Sequence, residues 1–213
     1  RMGWSPLPLT IRDARRRAGS LRARLAALDG TPAASAPVKD AASRSLVSVN
    51  RLVVRRGTVE ALSKVTLGVS AGSVTAVMGR NGAGKSTLLA AMAGQLAATS
   101  GEVSVAGSSP RRLAPHDRVR VVGLVPQDSN LLLYADSVAA ECRAADRDFA
   151  AADGTTRALL ARIAGEVDGD QHPRDLSEGQ RLALALAIIL AGRPQVVLLD
   201  EPTRGLDYPA KRR

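Results

Sequence analysis

Aromatic side chains are nearly absent: one Trp, one Phe and two Tyr make up 2% of the 213 residues. That scarcity removes the stacking platforms on which single-stranded nucleic acid is held. The single cysteine, Cys142, excludes a disulfide scaffold. The longest nearly unbroken apolar stretch, residues 182–191, falls well short of the roughly 20 residues that a bilayer core requires. No secretory leader is legible, because Pro6 and Pro8 break the apolar run near Trp4 and arginines follow it. A cytosolic setting is the expectation. Acidic residues are also in short supply, 20 against 30 bases, for a net charge of +10.

What is present suits one domain with a sizeable core and an appendage: 45% of residues are apolar and 23% charged. The positive excess is uneven, with +6 in residues 1–44 and +4 in the rest. Two readings fit the appendage, a solvated linker or a patch lying near anionic phospholipid headgroups. Arginine outnumbers lysine 26 to 4, which we ascribe to coding bias. The first and last residues, Arg1 and Arg213, look like cut ends. Leu21, Leu25 and Leu28 recur at helical spacing before Gly30-Thr31-Pro32 stops them, and residues 33–42 are Ala/Ser/Pro-rich as in a linker. Order is expected from residue 45.

Leu46, Val49, Leu52, Val53 and Val54 form a β-rich run, and Val65, Leu67 and Val69 alternate as in a half-buried antiparallel strand. Residues 74–78 read as a short apolar strand leading into glycines. A helical stripe follows over residues 86–96. Further strands are expected at Val103 and Val105 and over residues 119–125. Residues 131–163 read as mostly helical, residues 182–190 as a buried helix, and residues 196–199 as a buried strand. Strands alternating with helices, with chemistry at strand ends, predict an α/β layer architecture.

Gly79-Arg80-Asn81-Gly82-Ala83-Gly84-Lys85-Ser86-Thr87 carries the spacing G-x-x-x-x-G-K-[ST] between a predicted strand and a predicted helix. Glycines permit the positive φ angles that turn successive N–H groups towards a phosphate. The helix that follows aims its N-terminal partial charge at the same anion. Lys85 adds a full charge for the outer phosphates, and the Ser86 hydroxyl is placed to ligate Mg²⁺. On its own this loop specifies only a nucleotide phosphate.

Three features narrow the class. Asp200 ends an apolar strand, where a carboxylate can hold Mg²⁺ through water, and Glu201 follows as a base for an attacking water. Leu176-Ser177-Glu178-Gly179-Gln180 stands before the buried helix, with Ser177 23 residues ahead of Asp200. Ser177 and Gly179 there offer a second anion-binding helix start, and Ser177 with Gln180 equally fits an ordinary capping box. Gln127, after Pro126, is placed to sense Mg²⁺ and a γ-phosphate.

With these motifs in order, residues 45–213 resemble the ATP-binding cassette family of ATPases. Residues 79–87 match the Walker A loop, Gln127 the Q-loop, and residues 176–180 the signature, with Glu178 in place of the usual glycine. Residues 196–200 match Walker B, Glu201 the catalytic glutamate, and Gly205-Leu206-Asp207 the D-loop. The resemblance implies an α/β P-loop NTPase core with an antiparallel β subdomain and an inserted helical subdomain over about residues 127–176. It implies ATP and Mg²⁺ as cofactors, with Gly79, Asn81, Gly82, Gly84, Lys85, Ser86 and Thr87 around the phosphates. Ser86, Gln127 and Asp200 fall at the metal, and Glu201, Lys85 and Gln127 at the chemistry. In that family two domains sandwich two ATPs head to tail, so Ser177, Gly179 and Gln180 would serve a partner cassette's nucleotide. Two departures stand out. The position of the adenine-stacking aromatic falls near Arg56, whose guanidinium can stack on a purine. The switch histidine of the family lies beyond Arg213, so the domain reads as incomplete at its C-terminus.

The string from Asp200 to Tyr208 looks like the ATPases of energy-coupling factor importers, which take up vitamins, cobalt or nickel. The basic lead-in over residues 1–44 is similar to the joint between two fused cassettes. The resemblance therefore implies a second cassette and integral membrane subunits as partners, on the inner face of the cell membrane, with no nucleic acid expected. Asp128, Asp136 and Glu141 are candidates to meet basic residues of the membrane subunit, or form a solvated acidic face. The competing class is a non-transport cassette ATPase acting on DNA or ribosomes. The short interval between Gln127 and Leu176 lacks heptads and disfavours its coiled-coil types. A nucleotide-regulated binding module without turnover is a third reading, against which Glu201 argues.

Overall fold

The computed structural model describes residues 45–202 continuously, together with residues 10, 12, 13, 16, 18, 19 and 23. The expectations for the linker at residues 33–42 and for the D-loop at Gly205-Leu206-Asp207 lie outside the described residues. The chain divides into two units, Arg1–Ser43 and Arg44–Arg213, and the second carries every element below.

Strands β1 (Ser45–Arg56), β2 (Val59–Ser70) and β3 (Ser100–Val105) form an antiparallel sheet in the order β2-β1-β3. β1 and β2 are joined by Gly57-Thr58, and the φ of 59° at Gly57 meets the positive-φ demand of a two-residue hairpin. Strict alternation would bury only one half of β1. Val47 and Val49 point inward, Asn50 and Arg51 are both exposed, and Leu52 and Val54 point inward again. An irregularity in the pairing at this point, with Arg51 at φ 47°, resets the face so that both halves reach the core. Under this sheet lie Leu88, Leu89 and Met92 of α1 (Lys85–Met92), completing one apolar cluster.

α1 ends at Met92, sooner than the stripe to Leu96 predicts, because Gly94 turns the chain at φ 74° and sits against Pro110. The strand expected over residues 119–125 is shorter. Residues Pro115–Val121 form a helix, α2, with Pro at its start and Asp117 in its first turn, and only Val122–Val125 form strand β4. β4 pairs in parallel with β5 (Val196–Leu199) as a separate two-stranded sheet. The strand expected over residues 74–78 is not formed. Those residues carry no regular element, and Val74 is wholly exposed. An apolar run becomes a strand only where a neighbouring edge pairs with it, and β-propensity without a partner does not suffice.

The single helical stretch read over residues 131–163 is two helices, α3 (Val138–Asp148) and α4 (Thr155–Ala164), after a short 3₁₀ turn at Ser129–Leu132. They pack on α5 (Glu178–Ala191) around Val138, Leu160, Leu176 and Leu184. Cys142 belongs to this cluster, and burial pushes its thiol up to about 11, so it stays an inert apolar side chain. The α3–α4 connection is clasped by Asp146, which is 2% exposed and accepts bonds from the amides of Gly154 (2.8 Å) and Thr156 (2.9 Å) and from the Thr156 hydroxyl (2.6 Å). Asp146→Ala would strand buried donors, and we expect about 2–4 kcal/mol of lost stability. A lowered thermal midpoint with faster amide exchange at Thr156 would show it, and unchanged exchange there would refute the clasp. Among the described residues no helix is long and apolar enough to cross a membrane.

Candidate nucleotide site

The loop between residues 79 and 84 and the first turn of α1 make one wall of a cleft of about 680 Å³. Gly84 sits at φ 89° at the helix start, and a Cβ there would come within 2.5 Å of the Ala61 carbonyl and 2.8 Å of Leu62. Only glycine lets the loop press this closely on β2. Gly82, at φ 82°, faces open space instead, leaving room in front of the loop. The Lys85 ammonium folds back across the loop and donates to the carbonyls of Gly79 at 2.9 Å and Arg80 at 3.1 Å. A turn closed by the Ala83 amide on the Arg80 carbonyl at 3.1 Å holds the loop below it. Lys85, the loop and the start of α1 thus line one cleft.

Gln127 and Glu201 line the same cleft from across the loop. Gln127 follows β4 and is exposed. Glu201 stands two residues beyond β5, half-buried, with φ 50°. Asp200 directly follows β5, where its amide donates to the Val125 carbonyl at 3.0 Å and ties the ends of β4 and β5 together, and it is not among the residues that line the cleft. Of the expected site residues, Asn81, Gly82, Gly84, Lys85, Ser86, Thr87, Gln127 and Glu201 share the cleft. Gly79 contributes its carbonyl to Lys85, and Arg56 lies at the exposed end of β1, paired with Val59.

Ser177, Gly179 and Gln180 are elsewhere, at the N-terminus of α5. The capping box is formed: the Ser177 hydroxyl accepts from the Gln180 amide at 3.3 Å, and the Gln180 side chain accepts from the Ser177 amide at 3.0 Å. A serine hydroxyl that accepts one bond keeps its own proton to donate, so the box and an anion contact coexist on the same group.

Sequence patterning missed the third wall, Val59, Glu60 and Ala61 of the β1–β2 hairpin. Hydrogen bonds from Ser63 and then Arg55 hold the Glu60 carboxyl below its usual range, and Arg55 approaches it at 3.2 Å. That pairing offsets a charge which would otherwise repel a polyphosphate. Glu141 is not a docking acid. It is 5% exposed, and its carboxylate accepts from the amides of Tyr134 and Ala135, so it shapes a loop from inside. Asp128 is exposed but commits Oδ1 to the amide (3.0 Å) and side chain (2.8 Å) of Asn130.

A family model described as ABC transporter matches residues 62–204. The chain belongs to the ABC transporter family. It is 55% identical to an ABC transporter ATP-binding protein of Streptomyces avermitilis over 99% of this chain and 42% of that protein. It is 38% identical to the cobalt import ATP-binding protein CbiO of Rhodobacter capsulatus, over 71% of this chain and 56% of that one. Among solved structures it resembles cbiO1 of Clostridium perfringens, part of the ABC transporter complex cbiONQ. The TM-score there is 0.66 at 28% identity, covering 78% of this chain and 69% of that chain. The chain therefore spans less than half the length of the Streptomyces relative. Membership of the ABC transporter family assigns the α/β architecture to a P-loop ATPase fold, with the antiparallel sheet and the α3–α5 helical cluster as its additions.

Proposed function

We propose that this chain is one nucleotide-binding domain of a two-cassette importer, which binds and hydrolyses ATP to drive uptake of a micronutrient, a metal ion or vitamin, through membrane partner subunits. The observation that carries the proposal is the single cleft shared by the Lys85 loop, Gln127 and Glu201. The importer assignment is supported by the likeness to cobalt import CbiO, and the tandem arrangement by a Streptomyces relative more than twice the length of this chain. The domain would then be peripheral to the cytoplasmic membrane face through its partners.

In this reading the loop amides and Lys85 bind the β- and γ-phosphates. The Val59–Glu60–Ala61 wall and Arg56 lie towards the base. Glu201 holds the attacking water and accepts its proton, while Gln127 reports whether a γ-phosphate is there. Ser86, Gln127 and Asp200 offer hydroxyl, amide and carboxylate oxygens, the hard donor set that suits magnesium, which takes few protein ligands alongside phosphate and water. Among the described residues no cluster of His, Cys, Asp or Glu would hold a metal without the nucleotide. Magnesium supplies charge neutralisation at the phosphates when bound. Ser177 and Gly179 of α5 contact the nucleotide of the other cassette, so closure follows from each γ-phosphate bridging two surfaces.

The test is uptake by cells expressing or lacking the full-length protein, with labelled cobalt, nickel and B-vitamins supplied separately. Loss of uptake of one of these in the deletion strain, restored by the intact gene, is expected. Unchanged uptake of all of them, with ATP hydrolysis by the purified protein, would overturn the micronutrient assignment and leave the ATPase.

A further inference from the structure

The antiparallel sheet runs in the order β2-β1-β3, so β3 pairs with a strand through one edge only. Its last residue is closed off, since Val105 and Ser108 exchange backbone bonds of 2.8 and 3.0 Å across a turn. From Gly101 to Ser104 the outer edge has no backbone partner among the described residues. Such an edge is a template for another extended chain, and proteins commonly blunt it with lysine or proline. β3 contains neither, and Glu102 is its one charge.

This edge borders a cleft. Gly101–Ser104 line a cavity of about 360 Å³ that shares no residue with the nucleotide cleft. Ala91 and Leu96 add apolar lining, and Arg111 and Arg112 join it from the 3₁₀ turn Pro110–Arg112. A Cβ at Gly94 would fall within 2.7 Å of the Pro110 backbone, so the turn that carries the two arginines is pressed on the chain just after α1. Both arginines are exposed, and neither guanidinium has a hydrogen-bond or ion-pair partner among the described residues. Unpaired main-chain groups, apolar surface and two uncommitted cations thus meet in one place, against a single carboxylate.

A small anion would engage the arginines and leave the strand edge unsatisfied. An extended peptide engages both, because main-chain donors and acceptors along an edge are matched in register only by another backbone. Charge then selects the peptide. Residues 1–44 carry +6, and residues 203–213 carry four bases against one acid, so neither flank of this chain complements the arginines.

We propose that the outer edge of β3 is a docking site for an extended acidic segment of another protein, which adds to the sheet as a further strand and sets its acidic side chains against Arg111 and Arg112. Glu102 excludes a uniformly acidic run. Acidic residues alternating with apolar ones fit, since strand side chains alternate and the cleft offers both cations and apolar surface. Docking there requires no nucleotide.

The experiment uses the full-length protein without nucleotide and three labelled, capped pentapeptides: alternating Val and Asp, alternating Val and Lys, and the Val/Asp peptide N-methylated at alternate backbone nitrogens. Fluorescence anisotropy measures affinity, and amide hydrogen exchange reads the strand. The Val/Asp peptide is expected to bind and to slow exchange within residues 100–105. The lysine and N-methylated peptides should bind at least about tenfold more weakly, having lost the charge match and the backbone bonds respectively. Arg111→Ala with Arg112→Ala should weaken the Val/Asp peptide at least about tenfold while the thermal midpoint stays near wild type. Glu102→Lys should tighten it about two- to fivefold, a gain that a misfolded cleft cannot give. No binding of the Val/Asp peptide at millimolar concentration would overturn the proposal. So would equal binding of the N-methylated peptide, wild-type binding by the double arginine variant, or weakened binding by Glu102→Lys. Arginine-dependent binding to phosphatidylglycerol vesicles without peptide binding would assign the cations to lipid and overturn it too. Full protection of residues 100–105 in the free full-length protein would place another part of that chain on the edge, with the same consequence.

Discussion

Lys85→Ala should weaken ATP binding to this cleft at least about 10²-fold and reduce turnover at the site to background. The ammonium spans the carbonyls of Gly79 and Arg80, so its position is set before any ligand arrives. Charge-assisted hydrogen bonds of this kind contribute about 1.5–3 kcal/mol each. Losing two of them to phosphate oxygens accounts for a factor on the order of 10²–10⁴ in affinity. The rest of the loop should survive, because α1 is anchored by buried Leu88, Leu89 and Met92 and not by Lys85. Equilibrium binding of a fluorescent ATP analogue by the full-length protein, with the other cassette disabled, measures the effect. The thermal midpoint without nucleotide should stay near that of wild type. A well-folded Lys85→Ala that binds like wild type would mean that the cleft is not the phosphate site. Lys85→Arg should not rescue, since a broad guanidinium replaces a compact charge seated between two carbonyls.

That Lys85, Gln127 and Glu201 would share a cleft was legible because the motifs that carry them depend on residue type and short-range order. A glycine loop has to run directly into a lysine at a helix start, whatever the surrounding sequence. The structure brings those residues into one cleft. The third wall was not legible, because Val59 and Ala61 are chemically ordinary, and only the hairpin's approach to Gly84 gives them a role. Glu141 misled for a related reason. Acidic composition reads as surface, yet two loop amides satisfy this carboxylate inside the protein.

The fold shows the same limit. Strands β1, β2, β3 and β5 follow from local patterns, although β1 needs an irregularity at Arg51 that alternation alone does not reveal. Residues 74–78 have strand composition without a strand, since pairing is a property of the neighbour as much as of the run. Val119 and Val121, spaced like alternating strand residues, are carried by a helix that Pro115 starts. The bond from Arg181 to Asn130 Oδ1 belongs to the same category: the residue next to a recognised motif is visible, but its partner 51 residues away is not.

Glu201→Gln separates binding from chemistry. Its amide keeps the size and shape of the carboxylate but has no basicity, so turnover should fall on the order of 10²–10⁴ while ATP affinity stays within about twofold. With binding intact and hydrolysis blocked, the two cassettes should accumulate closed around ATP, visible as retained nucleotide after rapid gel filtration of the full-length protein. Backbone geometry sharpens the test. Glu201 lies at φ 50°, a conformation that costs a residue with a Cβ about 1–2 kcal/mol, and such strain persists where position matters more than stability. Glu201→Gly relieves that backbone conformation and removes the carboxylate, so it should hydrolyse no faster than Glu201→Gln. Normal turnover in either variant, with the other cassette's site disabled, would show that another group activates the water.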